Sequence, residues 1–148
     1  MNDLGDLYQE LILDHNRRPR NRGHLDDCAH HALGHNPLCG DKLDLYVELE
    51  GEIIRDIRFE GNGCAISTAS ASLMTEAVKG RTLSDANALF EKFHDLIMHE
   101  GEPPADGLGK LRAFANVGRY PARVKCATLA WHTLQAALKA DEQTVSTE

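Results

Sequence analysis

The sequence has 148 residues, of which 42% are hydrophobic and 26% charged, and its formal net charge is −7. This length suits a single domain spanning residues 1–148 with its own hydrophobic core, and the acidic balance argues against nucleic acid as the main partner. The sequence lacks the run of about 18 apolar residues that predicts a membrane span, and the acidic start is unlike a signal peptide. We therefore expect a cytoplasmic protein whose cysteines serve metal, sulfur or redox chemistry rather than disulfides.

The first half of the sequence predicts a helix followed by a β-hairpin. Apolar residues recur at helical spacing over residues 3–16, which is typical of an amphipathic helix. Apolar and polar residues alternate over 43–49, and after a turn at Gly51 a second such run covers 53–59. These two runs predict an antiparallel hairpin with one buried face, preceded by a short strand near 29–35.

The second half of the sequence is helical. Its first run is rich in small residues and closes with Gly80 as a C-cap, and Ser84 is the expected N-cap of the next helix. A short helix at 108–116, a last helix at 124–140 and a frayed tail at about 141–148 follow. Strands first and helices after predict an α+β domain, with a small antiparallel sheet of about three strands and helices packed on one face.

Three of the cysteines lie at boundaries between predicted elements. Cys39 lies in a turn before the hairpin, and Cys64 and Cys126 lie near predicted helix N-termini, where the dipole and free amides favour a thiolate. With the carboxylate of Asp41, three thiolates make a four-ligand set for Zn²⁺, and such thiolates also suit iron and sulfide. The alternative is that each cysteine is a small buried hydrophobe, because free cysteine is often buried.

Other candidates for chemistry are weaker. Cys28 has no glycine beside it and is predicted to be no ligand, and the eight histidines are expected to form no metal site. The arginine cluster, which comprises the four arginines of residues 17–22, has two interpretations. It is either a solvated group at the C-terminal end of a helix or a docking patch for an acidic partner.

The cysteine segments carry a resemblance to a known family. NPLCGD, GNGCAIS and RVKCATLAW occur in this order and resemble the three cysteine motifs of the IscU/NifU-like iron–sulfur cluster assembly proteins. The likeness spans about residues 4–139. Lys125 stands before the third cysteine, where the IscU branch has histidine, and a longer segment precedes that cysteine. Both departures resemble the SufU branch of the family.

The resemblance implies a fold, a metal and a partner. The family's fold is a small antiparallel sheet with helices on one side. In the SufU branch zinc is bound by three cysteines and an aspartate, which correspond to Cys39, Asp41, Cys64 and Cys126. Proteins of that branch accept persulfide sulfur from a SufS-type PLP-dependent cysteine desulfurase and pass it to downstream cluster-assembly proteins. The PLP belongs to the desulfurase.

Cys39 is the thiol that we expect to react, because its turn, with Gly40 next to it, can absorb a displacement of the sulfur. Arg123 and Lys125 flank Cys126 and either tune thiolate charge, contact the partner, or are ordinary exposed bases at a helix start. Two other functions stay open. One is a scaffold that carries a transient Fe–S cluster, and the other is a structural zinc domain without sulfur chemistry.

Overall fold

A computed structural model describes residues 3–25, 30–37, 40–98, 108–139 and 144–146. The helices are α1 (Asp3–Arg17), α2 (Ala65–Val78), α3 (Leu83–Met98) and α4 (Pro121–Leu138), with a 3₁₀ helix (Gly109–Arg119) before α4. The strands are β1 (His30–Asn36), β2 (Asp41–Glu50), β3 (Ile53–Asn62) and β4 (Thr144–Ser146). Among the helices in these ranges, none combines the length and the apolar character that crossing a membrane requires.

The sheet has the strand order β3-β2-β1-β4. β2 pairs antiparallel with both β1 and β3, which confirms the predicted hairpin and its preceding strand. β4 lies within the segment 141–148 that was expected to be frayed, and it pairs in parallel with Leu33–His35 of β1. Three consecutive antiparallel strands followed by helices confirm the α+β class.

One face of the sheet carries the core. Leu43, Leu45 and Val47 alternate along β2 and are buried beneath the helices, as the period-two pattern predicts. On the helical side, the ring of Trp131 stacks against that of Phe93 with the centroids 4.7 Å apart. The helices therefore pack on one sheet face, as expected.

The N-cap of helix α3 lies two residues before the predicted one. The hydroxyl of Thr82 accepts a hydrogen bond from the amide of Asp85 at 3.1 Å, so Thr82 is the N-cap. The expectation that Ser84 caps this helix was wrong, because Ser84 is already its second residue. At the end of α2, Gly80 has φ 85° directly after the C-cap Lys79, which agrees with the predicted stop.

Helix α4 begins at Pro121, three residues before its predicted start, because proline at the first helical position has a suitable φ and needs no hydrogen-bond partner for its nitrogen. The preceding 3₁₀ helix is longer than the short helix expected over 108–116. As a result Cys126 is the sixth residue of α4 and lies farther from the positive end of its helix dipole than Cys64, the N-cap of α2.

Helix α4 approaches β1 closely at Gly34. A Cβ atom at this position would overlap the hydroxyl of Thr133 and lie 3.1 Å from the Cδ1 atom of Leu129. Only glycine permits this approach of helix to strand. The contact matters for the site, because Cys126 lies two turns before Thr133 on the same helix.

Candidate metal centre

Three predicted ligands converge at one end of the sheet. Asp41 begins β2, Cys64 precedes α2 and Cys126 lies in α4, and their ligand atoms all lie within 4.8 Å of one another. Asp41 is fully buried, Cys126 is buried and Cys64 is half-buried. Among the described residues, this is the one group of histidine, cysteine and acidic side chains close enough to share a metal ion.

Asp41 is a buried carboxylate that accepts two hydrogen bonds. Its Oδ1 accepts from the backbone amide of Cys64 at 2.9 Å, and its Oδ2 accepts from Nδ2 of Asn36 at 3.2 Å. Asp41 occupies the core-facing side of β2, two residues before Leu43. A buried carboxylate is costly unless it is paired or binds a metal, and within the described residues the side chain that donates to Asp41 is the neutral amide of Asn36.

Cys64 caps helix α2 with its sulfur. Its backbone is extended, with φ −70° and ψ 171°, and its Sγ accepts a hydrogen bond from the amide of Ser67 at 3.4 Å. This is the arrangement in which a serine or aspartate usually caps a helix. The sulfur therefore lies at the N-terminal end of α2, the positive end of the helix dipole.

Gly63 allows the loop before Cys64 to pass close to the aspartate. A Cβ atom at Gly63 would lie 3.0 Å from Oδ1 of Asp41 and 3.1 Å from Oγ of Ser67. Both distances are shorter than ordinary van der Waals contact. Gly63 of the GNGC motif thus has a packing reason to be glycine.

Asn36 is a site residue that sequence reasoning missed. It is fully buried, and its Nδ2 lies 3.2 Å from Oδ2 of Asp41 and 3.5 Å from Sγ of Cys126. Asn36 and Asp41 face each other as a cross-strand pair of the β1–β2 hairpin. A signal was available in the sequence, because Asn36 continues the inward positions of Ala32 and Gly34 with a polar side chain.

The donor set fits zinc. Thiolates and a carboxylate are zinc ligands with bond lengths of about 2.0–2.3 Å, so two ligands of one tetrahedral ion lie about 3.3–3.8 Å apart. The three ligand atoms lie within 4.8 Å of one another, so side-chain adjustments of about 1 Å would bring them around one ion. The three described ligands alone make an incomplete tetrahedral set, which leaves a position for a further ligand.

The predicted ligand Cys39 lies outside the described residues, so its place in the set stays a prediction. The chain leaves β1 at Asn36 and enters β2 at Asp41, and these two residues are paired. The connecting segment that carries Cys39 therefore begins and ends at the candidate centre. Cys28 also lies outside the described residues. The β1 histidines are half-buried and, within the described ranges, no histidine belongs to the donor group.

The two bases beside Cys126 have different surroundings. Arg123 is exposed in the first turn of α4, and its guanidinium lies 4.5 Å from the centroid of the half-exposed ring of Tyr120. Lys125 is half-buried and directly precedes Cys126. A positive charge in the first turn opposes the helix dipole, so helix stability does not explain Arg123.

The arginine cluster makes contacts within the chain. Arg20 forms an ion pair of 2.7 Å with Asp14, and its backbone amide donates to Oγ of Ser72 at 2.8 Å. The guanidinium of Arg22 donates to the carbonyl of Gly61 at 3.4 Å, at the end of β3. Part of the cluster thus joins α1 to α2 and β3, in addition to the two roles considered from sequence.

Residues 7–146 match the family model of the NifU-like N terminal domain. The chain belongs to this NifU-like family. It is 40% identical over 140 residues to the zinc-dependent sulfurtransferase SufU of Bacillus subtilis, with 95% of each chain covered. It is 41% identical over 139 residues to the iron–sulfur cluster assembly scaffold protein IscU of Streptococcus pyogenes serotype M1, covering 94% of this chain and 87% of that protein.

A solved structure supports the same relationship. The crystal structure of SufU from Fervidobacterium islandicum AW-1, described as an iron–sulfur cluster assembly scaffold protein for the SUF system, matches this NifU-like domain with a TM-score of 0.82 at 36% identity, covering 87% of this chain and 94% of the other. The resemblance stated from the three cysteine motifs is thereby confirmed, including the likeness to SufU proteins.

Proposed function

We propose that this NifU-like domain is a zinc-dependent sulfur acceptor, which takes persulfide sulfur from a cysteine desulfurase for iron–sulfur cluster assembly. The observation that carries the proposal is the convergence of Asp41, Cys64 and Cys126, whose ligand atoms lie within 4.8 Å of one another. The similarity to a zinc-dependent sulfurtransferase supports the choice of metal and chemistry. The proposed partner is a PLP-dependent desulfurase of the SufS type, and the proposed compartment is the cytoplasm, where thiols stay reduced.

The chain's own residues would hold the metal. Asp41, Cys64 and Cys126 are three of the proposed ligands, and Cys39 is the fourth. Bound zinc would keep the coordinating thiols deprotonated at neutral pH. Cys64 and Cys126 are held by α2 and α4, whereas Cys39 belongs to the connection between two strands. This difference supports Cys39 as the residue that reacts.

The proposed transfer is a thiol–disulfide type of exchange. The thiolate of Cys39 attacks the outer sulfur of the partner's persulfide, a new sulfur–sulfur bond forms, and the old one breaks. The partner's cysteine leaves as a thiolate, and Cys39 then carries the persulfide. The electrons balance within the exchange, so the step needs no further oxidant or reductant.

The partner would approach beside the start of α4. Arg123 and Tyr120 form an exposed cation–aromatic pair there, and Lys125 lies between Arg123 and the ligand Cys126 along the helix. Arginine and tyrosine are frequent anchors in protein interfaces. The positive charge, on a chain of net charge −7, would favour an acidic surface on the desulfurase.

A scaffold for Fe–S clusters is the second candidate function. The similarity to the IscU scaffold of S. pyogenes favours it, and cysteine thiolates are the usual ligands of such clusters. Lys125 stands where the IscU branch has histidine, and this favours the sulfur acceptor.

Metal analysis combined with a desulfurase assay tests the proposal. The metal-free protein is titrated with Zn²⁺, and the conversion of cysteine to alanine by a SufS-type desulfurase is followed with and without it. We expect about one zinc per chain and a stimulation of the desulfurase that requires zinc. A brown, oxygen-labile protein holding iron and sulfide without stimulation would indicate the scaffold instead. Bound zinc without stimulation would indicate a structural zinc domain.

A further inference from the structure

Asn36 is a fully buried amide for which the proposed sulfur transfer has no role. It ends β1 on the core-facing side of the sheet, where Ala32 and Gly34 precede it. A buried polar side chain is costly unless its groups are paired. The partners of this amide are therefore informative about why asparagine occupies the position.

Both partners of the Asn36 amide nitrogen belong to the candidate metal centre. Nδ2 lies 3.2 Å from Oδ2 of Asp41 and 3.5 Å from Sγ of Cys126. An NH₂ group has two hydrogens, so it can donate one to each of these acceptors. The reverse orientation would place the amide oxygen against a carboxylate and a sulfur acceptor, so the side-chain orientation follows from the hydrogen-bond network.

The amide connects ligands that come from distant parts of the chain. Asp41 lies across the hairpin from Asn36, whereas Cys126 is 90 residues away in the sequence. The Oδ1 atom of Asn36 has no hydrogen-bond partner within the described residues. The two donors of the side chain are thus used by the centre, whereas its acceptor has no partner there.

We propose that Asn36 is the positioning residue of the metal centre. Its amide holds the Asp41 carboxylate and the Cys126 sulfur in place before the metal binds. This inference rests on the proposed function in assuming that the centre binds zinc. It goes further because it attributes part of the zinc affinity to Asn36, which does not itself bind the metal. It also assigns Cys126 a fixed place as a ligand, since its sulfur accepts a hydrogen bond from the Asn36 amide.

Two variants of Asn36 separate positioning from mere packing. Asn36→Ala removes both donors without adding charge, and Asn36→Ser keeps one hydroxyl donor. Zinc affinity is measured by competition with a chromophoric chelator, and Co²⁺ is used as a spectroscopic probe of the thiolate ligands. We expect Asn36→Ala to bind zinc about 10–100-fold more weakly, the usual effect of losing an outer-shell hydrogen bond, and Asn36→Ser to lie between it and the parent. The sulfur-to-cobalt absorption band of Asn36→Ala should shift, because the sulfur has lost a hydrogen bond.

Asn62 provides the matched control. It is an exposed asparagine at the end of β3, two residues before Cys64, and Asn62→Ala should keep the parent's affinity and spectrum. An Asn36→Ala protein with the parent's zinc affinity, or with an unshifted cobalt band, would overturn the inference while leaving the proposed function intact. If the parent itself bound neither Zn²⁺ nor Co²⁺, the proposed function would fail first.

Discussion

Cys64 occupies two roles at once, as the N-cap of α2 and as a predicted zinc ligand. Cys64→Ser keeps an oxygen acceptor for the cap but replaces the thiolate by a hydroxyl, which is a poor zinc ligand. We therefore predict that Cys64→Ser loses zinc and, with it, the stability that metal binding contributes to folding. Zinc content after dialysis against a chelator and urea unfolding measure both effects. Cys28→Ser is the control and should keep zinc and stability, whereas full zinc occupancy in Cys64→Ser would refute the assignment.

Asp41 is predicted to behave differently from the cysteines. Asp41→Ala leaves the thiolates in place and opens a coordination position to water, so we expect the metal to remain bound. Sulfur acceptance should change, because the carboxylate no longer controls exchange at the metal. The backbone amide of Cys64 and the side-chain amide of Asn36 also lose the acceptor that Asp41 provides. Zinc content and desulfurase stimulation are measured together. Parent-like values of both would show that Asp41 is no ligand.

For the individual residues, the sequence predicted three candidate ligands that the structure brings together, but it did not predict the residue that contacts them. Asp41, Cys64 and Cys126 were identified from their boundary positions and motif likeness, and the structure brings these three together. Asn36 was missed because its role depends on the register of β1 against β2 and on contact with a helix 90 residues away. Treating polar side chains at inward strand positions as candidates would have included it.

Among the elements, the packing of α4 on β1 sets the distance between Cys126 and the sheet. Gly34→Ala would drive a methyl group into Thr133, so we predict a loss of about 1–3 kcal/mol of stability from overpacking and weaker zinc binding. Urea unfolding of the metal-free protein and chelator competition measure these effects. The double variant Gly34→Ala/Thr133→Ala should recover part of both losses. If Gly34→Ala matched the parent, the close approach would not determine the site.

The helix boundaries show where element prediction from sequence is limited. The start of α4 depends on Pro121, which suits the first helical position, whereas the apolar pattern begins only later in the sequence. Thr82 and Ser84 are both acceptable N-caps by composition, and the hydrogen bond from Asp85 decides between them. Apolar periodicity indicates that a helix exists, whereas its first residue depends on local hydrogen bonds.

For the whole molecule, we predict a stability that falls in mild acid. Burial, with a further contribution from Arg20, lowers the pKa of His15 below its usual value of 6.5, and burial lowers the pKa of His132 as well. The unfolded chain therefore binds protons more readily than the folded one, so stability is fully present above pH 6.5 and is lost as the pH falls toward the folded pKa values.

Urea unfolding between pH 5 and 7.5, a range that includes the ordinary histidine pKa of about 6.5, tests the predicted loss of stability. The protein is treated with a chelator first, so that release of metal does not contribute. His15 hydrogen-bonds Ser72 through Nδ1 at 2.7 Å, and Asp14, Glu76 and Lys110 are its other charged neighbours. His15→Gln should flatten the pH dependence, with a remainder from His132. An unchanged slope in His15→Gln would show that His15 does not carry the effect.

The global architecture was largely predictable, because it follows from pattern changes along the chain. A period of two followed by helical periods indicates a sheet covered on one face, which the structure confirms. β4 could not be predicted, because three residues near the C-terminus pair with a strand more than 100 positions earlier. Such nonlocal pairing has no signal in the local sequence.

The location of the transferred sulfur tests the central claim most directly. The zinc-loaded protein is incubated with a cysteine desulfurase and cysteine, its thiols and persulfides are trapped by alkylation, and the peptides are mapped by mass spectrometry. We predict a persulfide on Cys39 that is absent without the desulfurase, with Cys64 and Cys126 unmodified. A persulfide on Cys64 or Cys126 with Cys39 unmodified, or no persulfide on any cysteine, would contradict the account.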